Sequence, residues 1–137
     1  MTNSVLKNRE TTMTNTVFTI LDSNKTYAMI KDKDRQELKW HFPRLSPTNI
    51  SSGTIVEESI DQIYNLFNIQ MIHGHTLFQQ TVDTNTIHVV HCREWLGDII
   101  QNEDIRFFEI EELFELKEAV DQIVVELLTH INFYLRH

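Results

Sequence analysis

Four polar side chains between residues 58 and 65 have a spacing that could do chemistry. Glu58, Asp61, Gln62 and Asn65 fall at i, i+3, i+4 and i+7, so on a helix they share one face. Two carboxylates and two amides there could form a metal site, with Glu103 reaching in from a loop as a further ligand or base. Magnesium, a hard ion, wants oxygen ligands, and once bound it lowers the pKa of an attacking water. The plainer alternative is a solvated polar face that holds no metal, the usual state of a helix exterior.

A second constellation is His73, His75, His88 and His91 on neighbouring strand-like runs, with Cys92 beside the last. Imidazole and thiolate suit zinc, yet no tight ligand motif is present, and surface or half-buried histidines explain the pattern more simply. Cys92, inside an apolar run, reads as a small buried hydrophobe. Trp40, Phe42 and Phe108 could stack a base. Core packing is expected of Phe42 and Phe108, and Trp40 is left open between the two roles. Lys31, Lys39, Arg44 and Arg93 could hold phosphates or be scattered surface cations.

The elements that must position these groups follow from patterning. Val17–Leu21 and Thr26–Ile30 are β-rich runs around Asp22-Ser23-Asn24-Lys25, whose Asp and Asn tolerate tight backbone conformations, so the pair predicts a hairpin. Lys31 to Glu37 is a charged loop, and Leu38–Phe42 is a short strand that Pro43 ends by removing a ladder donor. A helix is predicted over Thr54–Ile69. It opens on a capping box between Thr54 and Glu57 and buries Val56, Ile60, Ile63, Tyr64 and Phe67. Asn68, able to turn left-handed, is expected to stop it. Met71–Thr81 and Ile87–Trp95 read as strands around Asp83-Thr84-Asn85, Gly97 bends the chain, and Ile105–Phe108 is another strand. Glu118–Leu135 closes the sequence as an amphipathic helix with Val120, Ile123, Val124, Leu127, Leu128, Ile131 and Leu135 inward. Strands on both sides of a central helix, with a second helix at the end, indicate an α+β sandwich.

At 137 residues the chain fits one domain, large enough to bury a core without staples. Twelve basic residues stand against 20 acidic ones, a formal charge of -8, which disfavours general nucleic-acid or anionic-membrane binding. A few local cations could still hold one phosphorylated ligand. With one cysteine, no intrachain disulfide can form, and a reducing, cytoplasmic setting is expected. No apolar run reaches the roughly 20 residues of a membrane span. Residues 1–15 are expected to be a flexible leader lacking a signal-peptide core, with Met13 a possible alternative start, and residues 16–137 the folded domain.

The order of elements resembles the Nudix superfamily, especially its small MutT-like members that process nucleoside triphosphates. Trp40-His41-Phe42-Pro43 is similar to the family's W-x-F-P entry strand, and Thr54–Ile69 to its box helix. Cys92-Arg93-Glu94-Trp95-Leu96-Gly97 is similar to the strand and glycine turn that follow. Glu103–Leu113, with Phe107-Phe108-Glu109 and Glu111-Glu112-Leu113, is similar to the late acidic and aromatic segment. The resemblance covers most of the chain after the leader. It implies an α/β/α sandwich with a mixed β-sheet.

The family box reads G-x5-E-x7-R-E-U-x-E-E-x-G-U, U being a bulky aliphatic. With its last aliphatic on Ile69, the Arg-Glu pair falls on Asp61 and Gln62, the inner aliphatic on Ile63, the Glu-Glu pair on Asn65 and Leu66, and the glycine on Asn68. Ser52-Gly53 stands where Gly-Glu is expected, and Leu45 replaces the glycine after Phe-Pro. Box glutamates hold the family's divalent cations. Here two amides and a leucine occupy those places, so the resemblance implies a fold kept without its cation grip.

Three functions follow as expectations. One is a non-hydrolytic module that uses the inherited cleft to bind a nucleotide-like ligand or a partner protein, with Trp40, Arg44, Gln62 and Asn65 as ligand-binding residues and no cofactor. Another is an atypical Nudix hydrolase of a nucleoside diphosphate-linked or triphosphate substrate, using magnesium or manganese on Glu58, Asp61 and Glu103. The third is a structural or regulatory interaction protein whose cleft is filled. A homodimer through the last helix is compatible with any of them.

Overall fold

A computed structural model describes residues 14–31, 40–47, 54–114 and 119–135, with side chains in the last helix described over 122–131. Most of the expected leader, including Met13, and the loop cation Lys39 lie outside the described residues.

The central strand β1 (Thr14–Ser23) is buried without alternation from Val17 to Asp22. A strand with both faces covered needs apolar or paired side chains throughout. Val17 and Leu21 face one core; Phe18 and Ile20 face another. β1 turns tightly into β2 (Thr26–Lys31) with Ser23 opposite Thr26. Asn24 and Lys25 both adopt left-handed backbone, at φ 52° and 70°, as a two-residue hairpin turn demands. The Asp22 carboxylate accepts from the Lys25 N–H at 2.9 Å.

The Trp40–Leu45 segment is not one strand ended by proline. It is two short ones, β3 (Trp40–His41) on β2 and β4 (Arg44–Leu45) on β1. Phe42-Pro43 carries the chain from one to the other, and the Pro43 carbonyl accepts from Thr19 N–H at 2.9 Å. Pro43 lacks only a donor, so its acceptor still joins the sheet.

Helix α1 spans Ile55–Phe67. The expected capping box does not form: Thr54 sits at the N-cap with φ -109° and ψ -3° and makes no side-chain cap bond. A near-helical N-cap turns its hydroxyl away from the first-turn N–H groups, which an extended N-cap would face. The buried stripe is also rotated from the expected one. Ile55, Ser59, Ile63 and Phe67 are inward, at steps of four, while Tyr64 is 53% exposed. The helix ends as expected, with Asn68 left-handed (φ 57°, ψ 40°) and its N–H on the Tyr64 carbonyl at 2.8 Å.

The two later strand runs each break once. β5 (Gln70–Ile72) and β6 (His75–Val82) part at His73, whose φ is 57°. β7 (Asn85–Cys92) and β8 (Glu94–Leu96) part at Arg93. β6 and β7 form a hairpin in the main sheet, with β7 parallel to β1 from Thr14↔Asn85 to Leu21↔Cys92. β5 and β8 peel away as a separate pair. β9 (Ile105–Glu109) pairs with β2. The short α2 (Ile110–Leu113) and α3 (Ala119–Leu135) complete the described elements. The sheet is therefore mixed, in the order β3-β2-β1-β7-β6, with β4 and β9 paired beside that path.

Helix α1 covers one face with Ile55, Ile63 and Phe67 against Val17, Leu21, Val90 and Cys92. Helices α2 and α3 cover the other with Leu113, Val124, Val125 and Leu128 against Phe18, Ile20, Met29 and Val89. Each such side chain contributes about 1.5–3 kcal/mol when buried, so each helix is held mainly by its apolar stripe. This is the expected α/β/α sandwich.

Candidate functional site

The candidate site is the outer face of α1 with the segments that touch it. Of the four residues on the shared face, Gln62 alone is half-buried; Glu58, Asp61 and Asn65 are exposed. The Gln62 side chain crosses to β4, where its Nε2 donates to the Arg44 carbonyl at 2.6 Å. That orientation is dictated by charge, because the reversed amide would set two acceptor oxygens against each other. Oε1 is left buried with no hydrogen-bond partner among the described residues.

Beside the second half of α1 lies a cleft of about 260 Å³, lined by Ile30, Lys31, Leu66, Asn102, Asp104 and Ile105. The Asn102 carboxamide accepts from the N–H groups of Asp104 and Ile105 at 2.7 and 3.1 Å, folding the approach to β9 into a tight turn. Glu103 is exposed at its tip and is not among the lining residues. The Lys31 ammonium lies 4.9 Å from the centroid of the Trp40 ring, in the range of a cation–π contact. Trp40 also meets Phe108 edge-on at 5.1 Å.

The sequence-predicted residues thus part into separate places. Arg44 and Gln62 come together. Trp40 packs on the α3 side of the sheet, with the Lys31 ammonium over its ring, and it acts there as a platform for Lys31. Phe42 and Phe108 are core residues, as expected, at 0% and 6% exposure. Glu58, Asp61 and Glu103 do not assemble: among the described residues no three of His, Cys, Asp or Glu are grouped to hold a metal. The amide that faces Arg44 offers a hydrogen where a cation needs a lone pair, and Leu66 offers no donor at all. Among the described residues, the donor set on this face of α1 does not fit a magnesium or manganese ion.

The histidines divide as well. His75 and His91 meet edge-to-face at 5.5 Å, and His91 Nε2 lies 3.0 Å from the Asp22 carboxylate. Burial pushes that carboxyl's pKa up. The His91 and Lys25 hydrogen bonds and the charges of His91 and Arg93 outweigh it, leaving the pKa below the ordinary value. His88 instead bonds Asn15 Oδ1 at 3.1 Å, and burial lowers its pKa. Cys92 is fully buried in the α1-side core, its single S–H within donating distance of the Glu94 carbonyl at 2.9 Å and the Ile72 carbonyl at 3.3 Å. No zinc site forms from this set.

Sequence reasoning missed Ser59. Its hydroxyl lies 2.5 Å from Thr19 Oγ1, both side chains fully buried, joining α1 to β1. Its position four residues from both Ile55 and Ile63 was the available signal.

No family model matches this chain, and no curated protein matches it by sequence. Solved structures do. A MutT from work on the fish pathogen Aliivibrio salmonicida and Vibrio cholerae superposes with a TM-score of 0.69 at 13% identity, over 85% of this chain and 96% of that one. The E. coli ORF135 protein gives 0.66 at 15%, over 88% and 91%. An ADP compounds hydrolase gives 0.68 at 10%, over 90% and 73%. Three positions agree with this likeness: Asn68, where the pattern has glycine, is left-handed, and Ile63 and Ile69, where it has aliphatics, are buried. The fold of this chain is the Nudix fold.

Proposed function

We propose that this protein is a non-hydrolytic Nudix-fold module that binds a nucleotide-like ligand in the cleft beside α1. The observation that carries the reading is the Gln62–Arg44 hydrogen bond at 2.6 Å. A carboxylate at that position would confront the Arg44 carbonyl and would need a cation between the two oxygens. The glutamine amide supplies its own hydrogen there and does the cation's structural work. With Leu66 at the next acidic place, water near α1 has no metal to lower its pKa.

Binding chemistry remains at the cleft. Asn102 and Asp104 offer polar groups and Ile30, Leu66 and Ile105 an apolar floor, while the Lys31 ammonium is engaged over the Trp40 ring. A ligand that prefers the folded state raises the melting temperature. The test is a panel of nucleoside mono-, di- and triphosphates scored for both melting shift and phosphate release, with and without magnesium or manganese. Nucleotide stabilisation without turnover is expected, and weaker for Leu66→Asp, which sets a negative charge in the lining of the cleft. Metal-dependent release that Asp61→Ala abolishes would overturn the reading in favour of hydrolysis. Absence of any shift would leave the cleft to a protein partner.

A further inference from the structure

At the other end of β1 and β2, on the face covered by α3, a cavity of about 450 Å³ opens away from α1. Its polar side is formed by Asp22, Lys25, His73, His75, His91 and Arg93, with Glu94 at the edge; Leu77, Leu128 and Ile131 form an apolar wall. We propose that this cavity is a second ligand site, for a small organic anion whose phosphate or carboxylate head meets the basic groups and whose apolar body lies on that wall.

The geometry favours an anion because Asp22 is already committed. One carboxylate oxygen accepts from the Lys25 N–H at 2.9 Å; the other lies 3.0 Å from His91 Nε2 and 3.6 Å from Arg93 Nε. With both oxygens taken, the polar groups left to meet a ligand are two cations, the Lys25 ammonium and the rest of the Arg93 guanidinium, the His73 and His75 rings, each with one donor nitrogen when neutral, and the single carboxylate of Glu94. The His91–Asp22 pair makes a rigid floor, each side chain 9% exposed, with His75 edge-on against it. Lys25 is presented by a backbone at φ 70°, a conformation that glycine adopts with less strain. That turn brings Lys25 into the lining of the cavity. The volume lies in the range of small-molecule pockets.

The experiment titrates phenyl phosphate, benzoate, inorganic phosphate and neutral benzyl alcohol into the full chain. It follows histidine ring resonances and melting temperature together. Phenyl phosphate or benzoate is expected to move His73, His75 and His91 and leave His88, on the other face, in place. The two heads distinguish a phosphate site from a carboxylate site. The Lys25→Gln/Arg93→Gln double variant, altered at two exposed positions, should bind about tenfold more weakly or worse, since hydrogen bonds to charged groups are worth at least that much. Leu66→Asp, in the lining of the cleft beside α1, should leave aryl-anion binding unchanged, which separates this site from that cleft. Equal response to benzyl alcohol, unchanged affinity in the double variant, or silence from both aryl anions would overturn the proposal.

Discussion

Gln62 decides the chemistry at the residue scale. Its amide spans α1 and β4 because one end donates to a carbonyl 2.6 Å away, and its other end is left buried and unpartnered. Gln62→Glu keeps the length and replaces the donor by a second acceptor. A buried acceptor facing another without a proton or cation costs roughly 1–3 kcal/mol, so the variant is expected to melt lower by an amount of that order in chelator at neutral pH. Manganese or magnesium should restore part of the loss in the variant and none in the parent. A variant equally stable in chelator would show that the amide is not standing in for a cation. The sequence made the missing acids legible, because residue type alone states what cannot ligate. It could not show the Arg44 contact, which depends on β4 lying against the middle of α1.

Between elements, the buried Thr19–Ser59 hydrogen bond fixes how α1 sits on β1. A serine inside an apolar stripe would be unfavourable unless paired, and Thr19 is its partner. Ser59→Ala removes one hydroxyl and strands the other, for a loss of about 1–3 kcal/mol in the urea midpoint. Thr19→Val/Ser59→Ala should recover much of it, since replacing both partners by apolar groups is close to neutral. Simple additivity of the single variants would refute the pairing. A similar logic applies where α1 hands over to the β5–β8 pair. Gly97 has φ +100°, and a Cβ there would meet Ile69 Cγ2 at 3.3 Å and the Asn68 carbonyl oxygen at 3.4 Å. Gly97→Ala is expected to cost more than about 1 kcal/mol, read by the same denaturation. The glycine bend and the Asn68 stop were legible because backbone demands leave a residue-type signature. The rotation of the stripe from Tyr64 to Ser59 was not, because hydrophobic periodicity assigns a small hydroxyl to the outside and only the opposing strand can call it in.

For the whole molecule, hydrophobic runs and their order were enough to place two helices on opposite faces of a mixed sheet. They did not show where β6 and β7 bend into β5 and β8, since a left-handed His73 and a one-residue break at Arg93 have no compositional mark. They also did not divide the histidines between faces, and that division controls how the fold responds to acid. His88 sits on the α1 side of the sheet, 4% exposed, bonded through Nε2 to Asn15. Its Nδ1 is buried without a partner among the described residues. Protonation would place a hydrogen there with nothing to accept it, which agrees with a pKa held below the ordinary value of about 6.5 by burial. The unfolded chain then takes up a proton before the folded one. The stability tied to a neutral His88 is therefore complete above about pH 6.5 and is lost as pH falls from there through the folded pKa. Asp22 acts lower on the scale. Its folded pKa is also depressed, so its contribution is complete above about pH 4 and is lost as pH falls through the folded value. Urea midpoints should therefore decline in two separate steps on acidification. His88→Gln, which can still donate to Asn15, is expected to remove the upper step and leave the lower; Asp22→Asn should remove the lower and leave the upper. A parent curve flat between neutral pH and about pH 5, in the window below the ordinary histidine pKa, would mean that His88 is not held neutral by the fold.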